Sequence, residues 1–232
     1  MPGRGLLITG TDTGVGKTFV ACGLAMALRK RGLRMAAFKP AETGCKRDAQ
    51  SQELIPADAR LLQQAAHTEA SLELICPYRF EAPVAPWVAA LREGKTIEPS
   101  HLAECYRELA SHHDLVLVET AGGILVPLAE RFHYGDLARM LNLPVLIVAG
   151  SKLGVINHTL ITLAFLRGTG LQILACVLNH PYDENTPAVQ TNAEALRQLA
   201  GVPLFVLPKL PNGSAAEAPL FAEVAAHCLA AF

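Results

Sequence analysis

Residues 10–18 read Gly-Thr-Asp-Thr-Gly-Val-Gly-Lys-Thr and follow directly on the apolar run Leu6-Leu7-Ile8. A loop of this composition works only between a buried strand and the start of a helix. Gly14 and Gly16 leave backbone N–H groups, with that of Val15 between them, free to point at a polyphosphate, and the next helix aims its positive dipole end at the same anion. Lys17 can reach the β- and γ-phosphates, and the Thr18 hydroxyl can ligate Mg²⁺. The chain supplies the helix: Val20, Leu24, Ala27 and Leu28 fall on one face. Arg29, Lys30 and Arg31 crowd its last turn, and Gly32 stands where a helix-ending glycine belongs. The strict spacing has a glycine five residues before Gly16, a place held here by Thr11, with Gly10 one step further back. A glycine-rich turn that merely joins strand to helix is the alternative. The intact Gly-Lys-Thr end in this setting favours a nucleotide loop.

Further strand-like apolar runs fall at 34–38, 114–118, 144–149, 172–178 and 203–207, after the first at 5–9. Helical stretches separate them, at about 17–31, 57–67, 100–112, 135–142, 155–167, 188–200 and 216–230. Unbroken runs such as Val145-Leu146-Ile147-Val148 suit strands covered on both faces. The alternation predicts an α/β fold: a doubly wound, mostly parallel sheet with helices on both faces, in one domain over 1–232. Hydrophobic residues at 51% with aromatics at only 6% point to an aliphatic core. The segment 76–99, with Pro77, Pro83, Pro86 and Pro99, reads as a long surface excursion.

A formal charge of −1 gives no long-range pull toward nucleic acid or an anionic membrane. The six cysteines lack a C-x-x-C pair and several fall within predicted elements, which suggests buried thiols rather than bridges. The chain enters its first strand at once, without a signal peptide, and no apolar run is long enough to span a bilayer, so a cytoplasmic location is expected.

In this fold ligands collect at the carboxyl ends of the strands. The second strand runs into Phe38-Lys39-Pro40-Ala41-Glu42-Thr43-Gly44, placing Lys39 near the phosphate loop, where an anionic reacting group needs a cation. Asp58 opens a helix, where a dipole-favoured acid is the ordinary reading and a Mg²⁺ ligand the functional one. The strand 114–118 delivers Glu119, placed like the acid that completes Mg²⁺ binding in P-loop NTPases, although there it is usually Asp. Gly122 and Gly123 permit close backbone approach to substrate or phosphate. Residues 150–159 enter a helix whose start can hold a carboxylate or phosphate; His158 there reads as a base or, more commonly, as structural. Asn179 either closes its own turn or offers its amide to a nucleobase edge.

Taken together, these residues resemble the dethiobiotin synthetases, ATP-dependent ring-forming enzymes of biotin synthesis. The resemblance spans nearly the whole chain: Thr9–Thr18, Lys39-Pro40 with Thr43-Gly44, Asp58-Ala59, Glu119 with Ala121-Gly122-Gly123, Lys152-Leu153-Gly154 with Ile156-Asn157-His158-Thr159, and Asn179. It implies a P-loop NTPase-like fold and a reaction in which CO₂ adds to an amine of 7,8-diaminononanoate. ATP then phosphorylates the carbamate, and the second amine closes a cyclic urea. By the same resemblance Thr18, Asp58 and Glu119 hold Mg²⁺. Lys17 and Lys39 serve catalysis, and Thr13, Thr43 and Gly122 meet the substrate. Asn179 with Pro208 and Leu210 frames the base. The family is a homodimer in which the helix start carrying Gly154, Ile156 and Asn157 reaches the neighbouring subunit's substrate. One departure is Thr120, where the family usually has Gly; a β-branched residue resists an unusual backbone angle there.

Other readings of the same loop exist. Chromosome-partitioning and septum-site ATPases carry a second lysine early in the loop, where this chain has Asp12, and often a basic amphipathic tail that 215–232 lacks. Amide ligases acting on cobalamin precursors usually add a glutaminase domain, for which 232 residues leave no room. A non-catalytic nucleotide-binding module has little use for Lys39 and Glu119 together.

Overall fold

The strands β1 (Arg4–Gly10), β2 (Met35–Phe38), β3 (Leu115–Gly123), β4 (Val145–Gly150), β5 (Ile173–Asn179) and β6 (Leu204–Leu207) form one sheet in the order β6-β5-β4-β1-β3-β2. Every neighbouring pair is parallel. These features come from a computed structural model that describes residues 4–182, 185–210 and 219–232. All residues of β2 and β4 are buried. Side chains alternate sides along a strand, so unbroken burial requires cover on both faces. The order reverses direction at β1, whose carboxyl end is therefore the crevice where ligands bind in such sheets.

The helices are α1 (Lys17–Arg29), α2 (Ala57–Ala66), α3 (Leu72–Ile75), α4 (Pro86–Arg92), α5 (Pro99–His112), α6 (Tyr134–Met140), α7 (Val155–Thr169), α8 (Pro187–Leu199) and α9 (Leu220–Leu229). Helix α1 buries Val20, Leu24 and Leu28, the face its spacing predicts. It meets α9 where Phe19 stacks edge-on to Phe221 at 6.2 Å. Of the predicted helix 216–230, residues 216–218 lie outside the described residues. No described helix is long and apolar enough to cross a membrane.

Two features differ from expectation. The segment 76–99 is not a surface excursion. Tyr78–Arg79 pairs in parallel with Ala41–Glu42, and Cys76, Phe80, Ala89 and Ile97 are buried. Two of its four prolines start helices: Pro86 opens α4 and Pro99 opens α5, where a missing N–H costs nothing. Strand β3 also runs on past the predicted end at 118 to Gly123, with a register shift where Ile8 faces Glu119 and Gly10 faces Gly123. Glu119 therefore sits inside the strand and is buried.

Candidate active site

The phosphate loop leaves β1 at Gly10 and re-enters helix at Lys17. Gly14 and Gly16 take φ of +74° and +87°, a region that strains most L-residues and favours glycine at both. Gly16 also lies against the side chain of Asn179, which fills the space a Cβ would need. The Asn179 amide donates to the Val15 carbonyl at 2.9 Å, pinning the loop to the end of β5. This use was not foreseen: Asn179 neither closes its own turn nor faces outward.

A cleft of 540 Å³ opens at the carboxyl ends of β1, β2 and β3. Thr13, Gly14, Gly16, Lys17 and Thr18 form one side, Thr43 and Asp58 another, and Glu119 and Gly122 the floor. Lys39 lies beneath them, only 2% exposed. Its ammonium donates to Glu119 Oε1 at 2.5 Å and to Asp58 Oδ2 at 2.9 Å. The Thr18 hydroxyl donates to the same Glu119 oxygen at 2.8 Å, while the buried Oε2 has no partner among the described residues. Burial opposes the Lys39 charge, but Glu119 and Asp58 outweigh it and hold the ammonium above its ordinary range. Lys17 is folded back on the loop, 3.1 Å from the Asp12 carbonyl. Burial pushes its ammonium down to about 8 against the attraction of Glu119. A polyphosphate would favour the charged form against that burial.

The arrangement suits a hard divalent cation. Among the described residues no three His, Cys, Asp or Glu side chains gather to hold a metal. Thr18, Glu119 with its unpartnered oxygen and the half-exposed Asp58 offer oxygen donors only, few enough that phosphate and water would complete an octahedral shell.

Several residues were not anticipated. Glu42 is buried on the cleft wall, and its two oxygens accept the N–H groups of Asp58 and Ala59 at 3.0 and 2.9 Å. Burial lifts its carboxyl above the usual range against those bonds. Asp12 pairs with Lys152 at 3.1 Å, tying the loop to the start of α7. Pro83, Val84, Ala85 and Pro86 close the cleft's outer wall. Thr120 stays within the strand, its hydroxyl donating to the Gly122 carbonyl at 2.7 Å, and the turn that needs a positive φ falls on Gly122 at +82°.

The remaining candidates lie apart from this cleft. Gly154 caps α7 at φ +93°, with Ile156 half-buried and Asn157 exposed just beyond it. His158 borders a separate shallow apolar pocket with Leu125 and Ile161. Pro208 and Leu210 follow β6, whose Leu207 is paired in register with Asn179. That puts both on the Asn179 side of the loop.

A family profile described as an AAA domain matches residues 4–219. An ATP-dependent dethiobiotin synthetase BioD of Anaeromyxobacter dehalogenans is 45% identical over 210 residues, covering 90% of this chain and 92% of that one. The chain belongs to the dethiobiotin synthetase family. The synthetases of Aquifex aeolicus (39% identical, over 89% of this chain and 90% of that one) and Bacillus subtilis strain 168 (38%, over 90% and 89%) agree. Among solved structures, the cell division ATPase MinD of Pyrococcus furiosus superposes with a TM-score of 0.60 at 21% identity, over 99% of this chain and all of that one. A ParA family ATPase of Chlorobium tepidum gives 0.59 at 16%, over 97% and 99%. Identities this low speak for the fold alone. The switch ATPases share the synthetase fold, but the family is that of the synthetases.

Proposed function

We propose that the cleft joins CO₂ to 7,8-diaminononanoate at the expense of ATP and closes the cyclic urea of dethiobiotin, with the whole activity carried by one domain over 1–232. The observation that carries this reading is the buried Lys39–Glu119 pair, joined by the partly exposed Asp58 and Thr18 and set directly against the phosphate loop, with Thr13 and Thr43 at its mouth. CO₂ adds to one amine and a proton leaves. The carbamate oxygen takes the γ-phosphoryl group and ADP departs. The second amine attacks the carbonyl carbon, phosphate leaves and the ring closes. No enzyme nucleophile is needed, so the protein contributes position and charge.

Lys17 neutralises the transferring phosphoryl group, and Lys39 stabilises the carbamate and its mixed anhydride. Gly14, Val15 and Gly16 offer backbone N–H groups to the phosphates. Thr18, Asp58 and Glu119 would hold Mg²⁺, which when bound supplies charge neutralisation to the phosphate oxygens. Thr13, Thr43 and Gly122 line the substrate side. Asn179, with Pro208 and Leu210 beyond β6, would frame the base. The six cysteines, all unbridged, support a cytoplasmic setting. Purified protein incubated with diaminononanoate, bicarbonate, Mg²⁺ and ATP should yield the cyclic urea by mass spectrometry. ATP consumption without that product would overturn the reading.

The same reading takes the protein as a homodimer, with Gly154, Ile156 and Asn157 of one subunit serving the substrate carboxylate of the other. In support, Leu153 is 82% exposed and Ile161 56%, two apolar side chains open to solvent on either side of a helix start that no side chain caps. Mixing Lys17→Ala with Asn157→Asp subunits should restore activity, since one site of a mixed dimer carries neither lesion. No recovery in proven heterodimers would place the carboxylate within one chain.

A further inference from the structure

Helix α2 begins without a cap of its own. The residue at its N-cap is Pro56, which has no side-chain oxygen, and no side chain local to the helix start bonds its first amides. The N–H groups at the second and third helical positions, those of Asp58 and Ala59, are the ones an N-cap side chain ordinarily satisfies. Glu42 does this from a distance of 16 and 17 residues in sequence, one oxygen to each. Its own backbone is fixed in turn: the Glu42 carbonyl accepts the Phe80 N–H at 2.9 Å, and the strand Ala41–Glu42 pairs with Tyr78–Arg79. Glu42 stands three residues after Lys39, on the chain that leaves β2. One side chain therefore clamps the segment bearing Lys39 to the helix turn bearing Asp58.

We infer that Glu42 is a positioning residue for the cation and phosphate site, acting through the backbone of Asp58. A carboxylate is required because both helix amides need an acceptor and the helix start favours negative charge. An amide at this position offers one acceptor and turns a donor toward a donor. With the clamp loosened, the first turn of α2 frays, and Asp58 no longer holds a fixed place beside Lys39 and Glu119. Groups that orient a metal ligand commonly change metal affinity by about 10- to 100-fold when altered.

The inference rests on the Mg²⁺ assignment proposed above, so its first readout needs no metal. In metal-free, nucleotide-free protein, Glu42→Gln should speed hydrogen exchange at the amides of Asp58 and Ala59 by about tenfold or more, while the strand amides of β1 keep their wild-type rates. The second readout is ADP affinity by calorimetry with and without Mg²⁺. The gain that Mg²⁺ confers should shrink by about tenfold, and affinity without Mg²⁺ should stay close to wild type. Pro56→Ser gives α2 a local cap and tests the route of action. In the Glu42→Gln background it should slow exchange and return most of the Mg²⁺-dependent gain. It also keeps the question answerable if Glu42→Gln alone folds poorly. Unchanged exchange and an unchanged Mg²⁺ effect in Glu42→Gln would overturn the inference. So would a Mg²⁺ effect that stays diminished after Pro56→Ser has restored slow exchange, because Glu42 would then act on the ligands directly. Faster exchange with an undiminished Mg²⁺ effect would reduce Glu42 to a helix cap, while leaving the metal assignment intact.

Discussion

Replacing Lys39 by Met tests how the cluster is held before any ligand arrives. Lys39 and Glu119 are 2% and 1% exposed, so solvent screens their contact little. The Asp58 side chain is 43% exposed, and its arm of the cluster contributes little to stability. Removing the ammonium leaves Glu119 buried with only the Thr18 hydroxyl at Oε1 and no partner at Oε2. An uncompensated buried charge of this kind costs about 3–5 kcal/mol. For a domain of this size each kcal/mol moves Tm by roughly 2–4 °C, so Lys39→Met should lower Tm by about 6–20 °C. Lys39→Met/Glu119→Gln removes both charges and should recover much of the loss, giving a coupling of about 1–3 kcal/mol in the double-mutant cycle. The assay is urea unfolding of the four proteins in chelator without nucleotide, since bound ligand would add its own stabilisation. Additivity within about 0.5 kcal/mol would refute a coupled buried pair.

Lys17→Ala should lower kcat for cyclic urea formation by at least about 10²–10³, the scale of one lost electrostatic contact in a transition state, and a variant keeping a tenth of the rate would contradict the role. Glu119→Gln should raise the half-saturating Mg²⁺ concentration, because an amide is a poorer ligand than a carboxylate; an unchanged titration would remove Glu119 from the metal shell. Burial pushes the Cys45 thiol up to about 11 and those of Cys22, Cys176 and Cys228 up to about 12. Thiols held that high stay protonated at pH 8, so alkylation of these four in the native protein should run roughly 100-fold or more below that of a free thiol, and denaturant should release them. Rapid labelling of any one would reveal an exposed thiolate.

The six strands and the phosphate loop were legible because each carries a local signature: a continuous β-rich run, or glycines at fixed offsets from Lys17. Lys39, Asp58 and Glu119 were legible as positions at strand ends and a helix start. Their mutual pairing was not, since it depends on a sheet order that sets β2 beside β3 and on a turn of α2 brought in from elsewhere. Glu42 escaped for the same reason, although Pro56 carried a signal: a helix preceded by a residue with no side-chain acceptor must find one elsewhere. The segment 76–99 reads as surface loop from sequence alone because prolines commonly mark such loops. Two of its prolines occupy first helical turns, and the alternation of buried Phe80 with exposed Glu81 was too short to register as structure. Thr120 raised a concern that Gly122 resolves, because the positive φ falls two residues later.

If this cleft transfers the γ-phosphoryl group to a carbamate oxygen, the fate of that oxygen records the transfer. Turnover can be started with ¹⁸O-labelled CO₂ and stopped before exchange with water, and the released phosphate examined by mass spectrometry. The carbamate draws both oxygens from CO₂; one stays in the urea carbonyl and the other leaves with phosphorus. Phosphate should carry one ¹⁸O for each cyclic urea formed. Unlabelled phosphate released alongside labelled urea would contradict that transfer.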